Sequence, residues 1–306
     1  MLDSSKYSPY LYSMNTLPIQ KRVQIINMLV EGSSLRATSR VCDVSINTVT
    51  KLLVDVGSAC MKFHNEKVVS IAAERLQCDE IWSFVYAKEK NTTIEQKQGG
   101  AGDAWTWTAI DADSKLIVSW YVGNRDAESA NIFMKDVASR LTQRVQLTTD
   151  GFHSYLQAVE NAFDDDIDFA QLIKTYGASE GESNTERKYS CAECTGIKKK
   201  VVTGNPHEQF ISTSYVERQN LTMRMHMRRF TRLTNGFSKK LENHCYAIAL
   251  YFVYYNFVKI HKSLRVPPAM QVGLIKRLMS IEDIANLVQI EAPKTRGKYN
   301  IEKQGE

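Results

Sequence analysis

The sequence lacks any apolar stretch long enough to cross a lipid bilayer. A membrane-spanning helix needs about 18 or more apolar residues in a row, and no such run occurs. No basic segment followed by an apolar segment marks a signal peptide, and there are no internal repeats or low-complexity tracts. These absences predict a soluble globular protein with no membrane partner and no secretory leader.

Cysteine is too scarce for a disulfide framework, since the 306 residues contain only six. Reduced thiols in a cytoplasmic protein fit this number better. Cys191 and Cys194 have the spacing of a zinc-ligand pair, but a structural zinc ion takes four ligands and the chain has no second such pair. We therefore favour a reduced pair in a polar loop over a zinc site.

Acidic residues are almost absent from one long part of the chain. Residues 211–265 contain ten lysines and arginines but two acids, whereas the net charge of the whole chain is only +5. A local basic surface of this kind attracts polyanions. The uneven distribution of charge therefore predicts a polyanionic partner more strongly than the net charge does.

The first helical region has the pattern of a helix-turn-helix. Apolar residues recur at helical spacing after Pro18, and SLRATSRVCDVSINTVTKLLVDVG follows, in which Ser45 is a suitable N-cap for the second helix. That helix would present Asn47, Thr48 and Lys51 outward, as in groove and phosphate contacts. We predict an irregular arm over residues 1–17 and a DNA-binding domain over 18–65. A small helical bundle with a solvated face is the alternative.

The next region reads as a mixed α/β domain. RLQCDEIWSFVYAK predicts a buried strand, and AWTWTAIDADSKLIVSWYVG predicts a hairpin that turns at residues 111–115. A helix, the short strand VQLTTDG, a second helix and another strand follow. We interpret residues 177–210 as an irregular polar loop, followed by helices over 215–232 and 239–260. This order predicts a mixed sheet flanked by helices.

Three acids stand where a metal site for phosphodiester chemistry would need them. Asp79 lies within the first strand, where a charge is costly unless it is ligated, and Asp150 ends a later strand. Glu217 begins a basic helix. Carboxylates suit Mg²⁺, and two such ions can activate a phosphodiester. Glu80 follows Asp79 directly, so strand alternation predicts that it points to the opposite face.

Helical geometry places Glu217 on the same stripe as Arg224 and Arg228, and Arg218 follows Glu217 directly. A metal-binding carboxylate followed by cations that hold the DNA backbone would need this order. A surface network of glutamate and arginine at the start of a helix has the same pattern. Spacing alone leaves both interpretations open.

Four segments together resemble one known family. They are CDEIWSFV, TTDGFHSY, STSYVERQNLTMRMHMRRFTRLTNGFSKKLENH and YYNFVKIHKSLRVPPAM. The chain is similar, over about residues 75–275, to the DDE transposases of bacterial insertion sequences, and above all to the insertion-sequence-one-like group. A cysteine zinc finger that often opens members of that group is not visible here.

The resemblance implies a fold, a site and partners. It implies an RNase H-like catalytic domain over residues 70–275, followed by a C-terminal helix and polar tail over 276–306. It implies catalysis by Asp79, Asp150 and Glu217 with two Mg²⁺ or Mn²⁺ ions, and no other cofactor. The expected partners are double-stranded DNA with inverted-repeat ends, target DNA and further copies of the chain, in the bacterial cytosol at the nucleoid.

The function implied is metal-dependent DNA cleavage followed by strand transfer. In that chemistry, water attacks a phosphodiester and frees a 3′ hydroxyl, which then attacks target DNA. One alternative is a DNA-binding regulator derived from a transposase that no longer cuts. Another is a metal nuclease of the same fold that cuts without joining.

Overall fold

The structure, a computed structural model, describes residues 17–177, 193–231 and 234–288. The helices are α1 (Ile19–Val30), α2 (Leu35–Val41), α3 (Ile46–Lys67), α4 (Ile94–Gln98), α5 (Ala127–Ser139), α6 (Ser154–Phe163), α7 (Ser214–His226), α8 (Leu241–Val253), α9 (Pro268–Gln271) and α10 (Ile281–Asn286). The strands are β1 (Arg75–Val85), β2 (Gly102–Asp111), β3 (Ile117–Gly123), β4 (Gln146–Thr149), β5 (Asp168–Gly177) and β6 (Glu193–Thr203).

Within this part of the chain, the six strands form one mixed sheet in the order β3-β2-β1-β4-β5-β6. β1, β2 and β3 are antiparallel neighbours, while β4 runs parallel to β1 and β5 runs parallel to β4. β6 is antiparallel to β5 at the edge. The mixed sheet flanked by helices that the sequence predicts is confirmed, and its order is consistent with an RNase H-like core.

Different helices cover the two faces of the sheet, and aromatic side chains form the contacts. On one face, the fully buried ring of Trp107 in β2 lies 5.8 Å from Phe133 of α5 and 5.5 Å from Tyr155 of α6. On the other face, the ring of Trp120 in β3 lies 5.9 Å from Phe252 of α8. These aromatic contacts hold the helices against the sheet on both of its faces.

The N-terminal helices pack directly on the sheet domain. Ser45 caps α3 by accepting a hydrogen bond from the Thr48 amide, as the sequence predicts. α3 then continues to Lys67 and crosses α8 so closely that a Cβ atom on Gly57 would lie 2.4 Å from the Cβ atom of Tyr246. Because one hydrophobic core cluster includes residues of both regions, the helix predicted to contact DNA is packed against the sheet domain.

Two sequence predictions about the part of the chain from residue 177 to residue 232 are wrong in detail. Part of the interval 177–210 is the strand β6 rather than an irregular loop, because an exposed edge strand needs no apolar alternation. The helix predicted over 215–232 ends at His226, since Met227 adopts an extended conformation and a short 3₁₀ turn, Arg228–Phe230, follows.

The chain ends are described only in part. The predicted arm over residues 1–17 lies outside the described residues except for Leu17, and so does the polar tail after Val288. α10 lies within the interval 276–306, for which we predict a C-terminal helix and a polar tail. None of the helices in the described ranges is long and apolar enough to cross a membrane.

Candidate active site

The strand pairing brings Asp79 and Asp150 side by side. β1 and β4 are parallel, and their last paired residues are Cys78 and Thr149. Asp79 and Asp150 are the next residue on each strand, so both carboxylates leave the sheet at the same edge. This is the place where ligand sites form in open α/β sheets.

Glu80 joins these two acids in one cluster, which the sequence does not predict. One carboxylate oxygen from each of Asp79, Glu80 and Asp150 lies within 4.8 Å of the other two. Asp79 and Glu80 lie opposite successive residues of β2, so their side chains leave opposite faces of β1 as strand alternation requires. β4 ends opposite Cys78. Beyond that point β1 has no neighbour on the β4 side, so Asp150 approaches acids from both faces of β1.

Arg125 is the cation that balances part of this negative charge. Its Nε lies 3.2 Å from Glu80 Oε2, and its Nη2 lies 3.5 Å from Asp150 Oδ2. The guanidinium also lies 4.2 Å from the ring centroid of Phe152 and 5.1 Å from that of Trp105. The aromatic rings therefore fix the arginine against two of the three acids.

Burial and mutual repulsion raise the pKa values of two site acids. Burial, and then the charge of Asp150, raise the pKa of Asp79 to about 7. The same two causes raise the pKa of Glu80 to about 7, and its side chain is only 1% exposed. Acids held so close together repel one another when ionised, which favours either protons or a cation between them.

Asp150 is held in a tight turn at the end of β4. Its Oδ1 accepts a hydrogen bond of 2.9 Å from the Phe152 amide, and its carbonyl oxygen accepts one of 3.1 Å from Gln171 of β5. A Cβ atom on Gly151 would lie 3.1 Å from a side-chain carbon of Ile173, so the glycine allows this close approach to β5. The turn therefore fixes the direction of the Asp150 carboxylate.

Glu217 lies in the first turn of α7, near the other acids but outside their cluster. Its Oε1 forms an ion pair with Lys174 of β5 and accepts a hydrogen bond of 2.6 Å from Thr213. The charge of Glu217 contributes to the raised pKa of Asp79, so the two carboxylates do interact. The structure thus brings Asp79 and Asp150 together and leaves Glu217 paired with a lysine.

Gln77 fixes the start of α7 relative to β1. Its buried Oε1 accepts hydrogen bonds of 2.8 Å from the Tyr215 amide and 3.2 Å from the Val216 amide. These amides belong to the first turn of the helix, where backbone donors have no partner within the helix itself. One side chain two residues before Asp79 therefore positions the helix that carries Glu217.

The arginines predicted to bind DNA occupy different positions around α7. Arg218 is exposed on the helix, and Arg224 is half-buried in its last turn. Arg228 is exposed but lies after the helix, in the 3₁₀ turn. The predicted single stripe of Glu217, Arg224 and Arg228 is therefore wrong for its last member, because the helical geometry stops at His226.

The N-terminal residues that we predict to contact DNA are not part of the acid cluster. Asn47, Thr48 and Lys51 line a groove of about 1060 Å³ along α3. The side chain of Lys51 is 77% exposed and pairs with Asp55 at 2.6 Å. None of the three clustered acids lines this groove.

Cys194 is exposed on β6, where its Sγ lies 3.5 Å from the Gly196 carbonyl oxygen. Cys191 lies outside the described residues. The predicted absence of a zinc site at this pair therefore stays a prediction.

The chemistry of the three-acid cluster fits a hard divalent cation. Mg²⁺ and Mn²⁺ prefer oxygen ligands, and carboxylates supply them. Asn220 Oδ1, a buried oxygen beside the cluster, has no hydrogen-bond partner within the described ranges. Because a buried polar atom without a partner is costly, this oxygen suits a water bound to a cation.

No protein-family model matches the sequence, and no curated protein matches it. Among solved structures, the chain is similar to one described as a piggyBac transposase synaptic complex with hairpin DNA. That match has a TM-score of 0.39 and 9% identity, and it covers 88% of this chain and 69% of the other. A second match, to the Mos1 strand transfer complex, has a TM-score of 0.21 and 10% identity, with coverage of 81% and 77%.

Proposed function

We propose that this protein is a DDE transposase that binds the terminal inverted repeats of an insertion sequence and catalyses metal-dependent DNA cleavage and strand transfer. The observation that carries the proposal is the meeting of Asp79 within β1 and Asp150 after β4, just beyond the point where the pairing of these two parallel strands ends. The basic segment that contains Glu217 begins beside them. This combination suits chemistry on a phosphodiester better than a structural ion site.

The side chains divide the work between cation and DNA. Asp79 and Asp150 would hold the cation from two strands, and Glu217 would complete the set after it leaves Lys174. A bound Mg²⁺ or Mn²⁺ would lower the pKa of its water and polarise the phosphate. The positive charge of Arg125 already neutralises part of the negative charge of the acids, so the metal need not neutralise the whole cluster.

The proposed DNA contacts fall into two groups. Arg218, Arg224 and Arg228 follow Glu217 and would hold the phosphates next to the cleaved bond. Asn47, Thr48 and Lys51 on α3 would recognise the inverted repeat as part of a helix-turn-helix. Because these groups are separate, end recognition and cleavage should be separable by mutation. We further propose that the protein acts as an oligomer on DNA in the bacterial cytosol.

One observation favours a second candidate, a DNA-binding regulator that does not cut. Glu217 is paired with Lys174 instead of lying within 4.8 Å of the other acids. If this ion pair persisted when DNA was bound, Glu217 would not be available to join Asp79 and Asp150 as a metal ligand. A transposase must therefore break the ion pair.

A strand-transfer assay distinguishes the candidates. End-labelled DNA that carries the flanks of the gene is incubated with the protein, a supercoiled target plasmid and Mg²⁺ or Mn²⁺. A transposase joins the labelled ends to the plasmid, and the Asp150→Asn variant does not. Cut DNA without joining would indicate a nuclease, and tight binding without any cut would indicate the regulator.

A further inference from the structure

We propose that Asn220 is a positioning residue of the metal site, which orients Asp79 through its amide NH₂ group and accepts a hydrogen bond from a metal-bound water through its Oδ1. This inference rests on the proposed function, because it assigns a role toward the cation. In the sequence, only the position of Asn220, three residues after Glu217 on the same helix, suggests that it lies near the site.

The first observation is a direct contact between α7 and β1. Asn220 Nδ2 donates a hydrogen bond of 2.8 Å to Asp79 Oδ2. A carboxylate has two oxygens, so a donor that occupies one of them leaves the other turned toward its own ligand. Asn220 therefore selects which oxygen of Asp79 is available to a cation.

The second observation is independent of the first. Asn220 is only 4% exposed, and in the described part of the molecule its Oδ1 has no hydrogen-bond partner. Leaving a buried acceptor without a partner costs about 1–3 kcal/mol. When Asp79 is ionised, as it must be to bind a cation, the amide keeps its NH₂ group on the carboxylate, because Oδ1 in that place would face a negative charge. A water on a cation at Asp79 would satisfy the acceptor.

A third observation concerns the neighbouring strand. Thr108 lies directly opposite Asp79 in the pairing of β1 with β2, so its side chain shares the face of Asp79. The Oγ1 atom of Thr108 is also buried and has no hydrogen-bond partner in the described chain. Unsatisfied polar atoms thus gather on the side of Asp79 that α7 covers, which is where ordered water would be expected.

Gln219 supplies a matched control on the same helix. It is 3% exposed and its side chain donates a hydrogen bond of 3.4 Å to the hydroxyl of Tyr251, in the core. Asn220→Leu keeps the approximate volume and removes both polar atoms, while Gln219→Ala removes a buried polar side chain that serves packing. The two variants therefore separate a role toward the cation from a role in the fold.

The experiment measures Mn²⁺ binding to the full-length protein by isothermal titration calorimetry, and thermal unfolding in EDTA. We expect Asn220→Leu to weaken Mn²⁺ binding 10- to 100-fold, the usual effect of losing a group that orients a metal ligand. In EDTA its Tm should stay close to that of the wild type, since the loss of the hydrogen bond to Asp79 is offset by the removal of a buried unsatisfied acceptor. Gln219→Ala should lower Tm and leave Mn²⁺ binding within about 2-fold of the wild type.

The outcomes separate the two proposals. Unchanged Mn²⁺ binding in Asn220→Leu, with wild-type binding abolished by Asp150→Asn, would overturn the role of Asn220 and leave the proposed function intact. Equal losses of affinity in Asn220→Leu and Gln219→Ala would also overturn it, because the effect would then be structural. Absence of Mn²⁺ binding in the wild type would overturn both proposals.

Discussion

Lys174 of β5 and Glu217 of α7 form an ion pair that connects the sheet to the helix beside the acid cluster. The side chain of Lys174 is 22% exposed and that of Glu217 is 44% exposed, so solvent screens the pair only in part. The pair holds the third acid close to Asp79, yet it also places a positive charge where a divalent cation would bind. A divalent cation must therefore compete with Lys174 for Glu217.

Replacing Lys174 by Gln should strengthen Mn²⁺ binding by about 3- to 10-fold. The variant removes a cation near the site and frees Glu217, and a unit charge at this range is worth on the order of 1 kcal/mol when partly screened. Calorimetric titration with Mn²⁺ measures the change. Lys97→Gln is the control, because Lys97 pairs with Glu89 at 2.9 Å on the surface. Weaker binding in Lys174→Gln would mean that the lysine holds Glu217 in its active position.

The stability of the metal-free protein should depend on pH through Glu80. Its pKa is raised to about 7 in the folded protein, so folding takes up a proton below that pH. The contribution of this group to stability is full below its ordinary pKa and is lost as pH rises through about 7. Glu80→Gln lacks this loss, so its stability relative to the wild type should rise by roughly 2 kcal/mol between pH 5.5 and pH 8.

Urea unfolding in EDTA at several pH values measures this difference. Added Mg²⁺ should reduce the loss of wild-type stability at high pH, because the cation binds the ionised acids. A stability difference that stays constant from pH 5.5 to pH 8 would show that Glu80 is already ionised at the lower pH.

Gly57→Ala should destabilise the protein by about 2 kcal/mol or more, because the crossing of α3 and α8 has no room for a methyl group. The added Cβ atom would lie 2.4 Å from Tyr246 Cβ and 2.5 Å from its carbonyl oxygen. Gly196→Ala on β6 is the matched control, since its nearest neighbour would be 3.8 Å away. Urea unfolding compares the two. Equal stability of both variants would mean that the helices separate without cost.

Lys51→Ala should weaken binding to DNA of the inverted repeat and leave Mn²⁺ binding unchanged. If Lys51 contacts a phosphate, the slope of log K against log salt should fall by about one. Lys135→Ala is the control, because Lys135 is exposed on α5 and lies outside the residues that line the groove. Fluorescence anisotropy at several salt concentrations measures both. Equal effects of the two variants would assign to α3 only a general basic attraction.

The parts of the fold that follow from local pattern were predictable. The β-branched and aromatic residues around Asp79 predict β1, and the hairpin and the short strand before Asp150 follow from turn residues and alternation. β6 was not predictable in this way, because its lysines lie on an exposed edge and bury no apolar face. The end of α7 was missed as well, since neither glycine nor proline marks the break at Met227.

The site was predictable as separate acids but not as an arrangement. From the sequence, Asp79 could be placed within one strand and Asp150 at the end of another. The inclusion of Glu80 depends on where β4 stops relative to β1, which is a tertiary property. The contacts of Asn220 with Asp79 and of Lys174 with Glu217 join residues more than 40 positions apart, so no local pattern reveals them.

The most direct test of the account maps cleavage of DNA that carries the flanks of the gene, with wild type and with Asp150→Asn. The account predicts 3′-hydroxyl ends at the repeat boundary that require Mg²⁺ or Mn²⁺ in the wild type. It predicts that Asp150→Asn binds the same DNA with similar affinity and leaves it intact. Cleavage by Asp150→Asn at the wild-type rate would contradict it, because Asp79 and Asp150 would then not form the catalytic site.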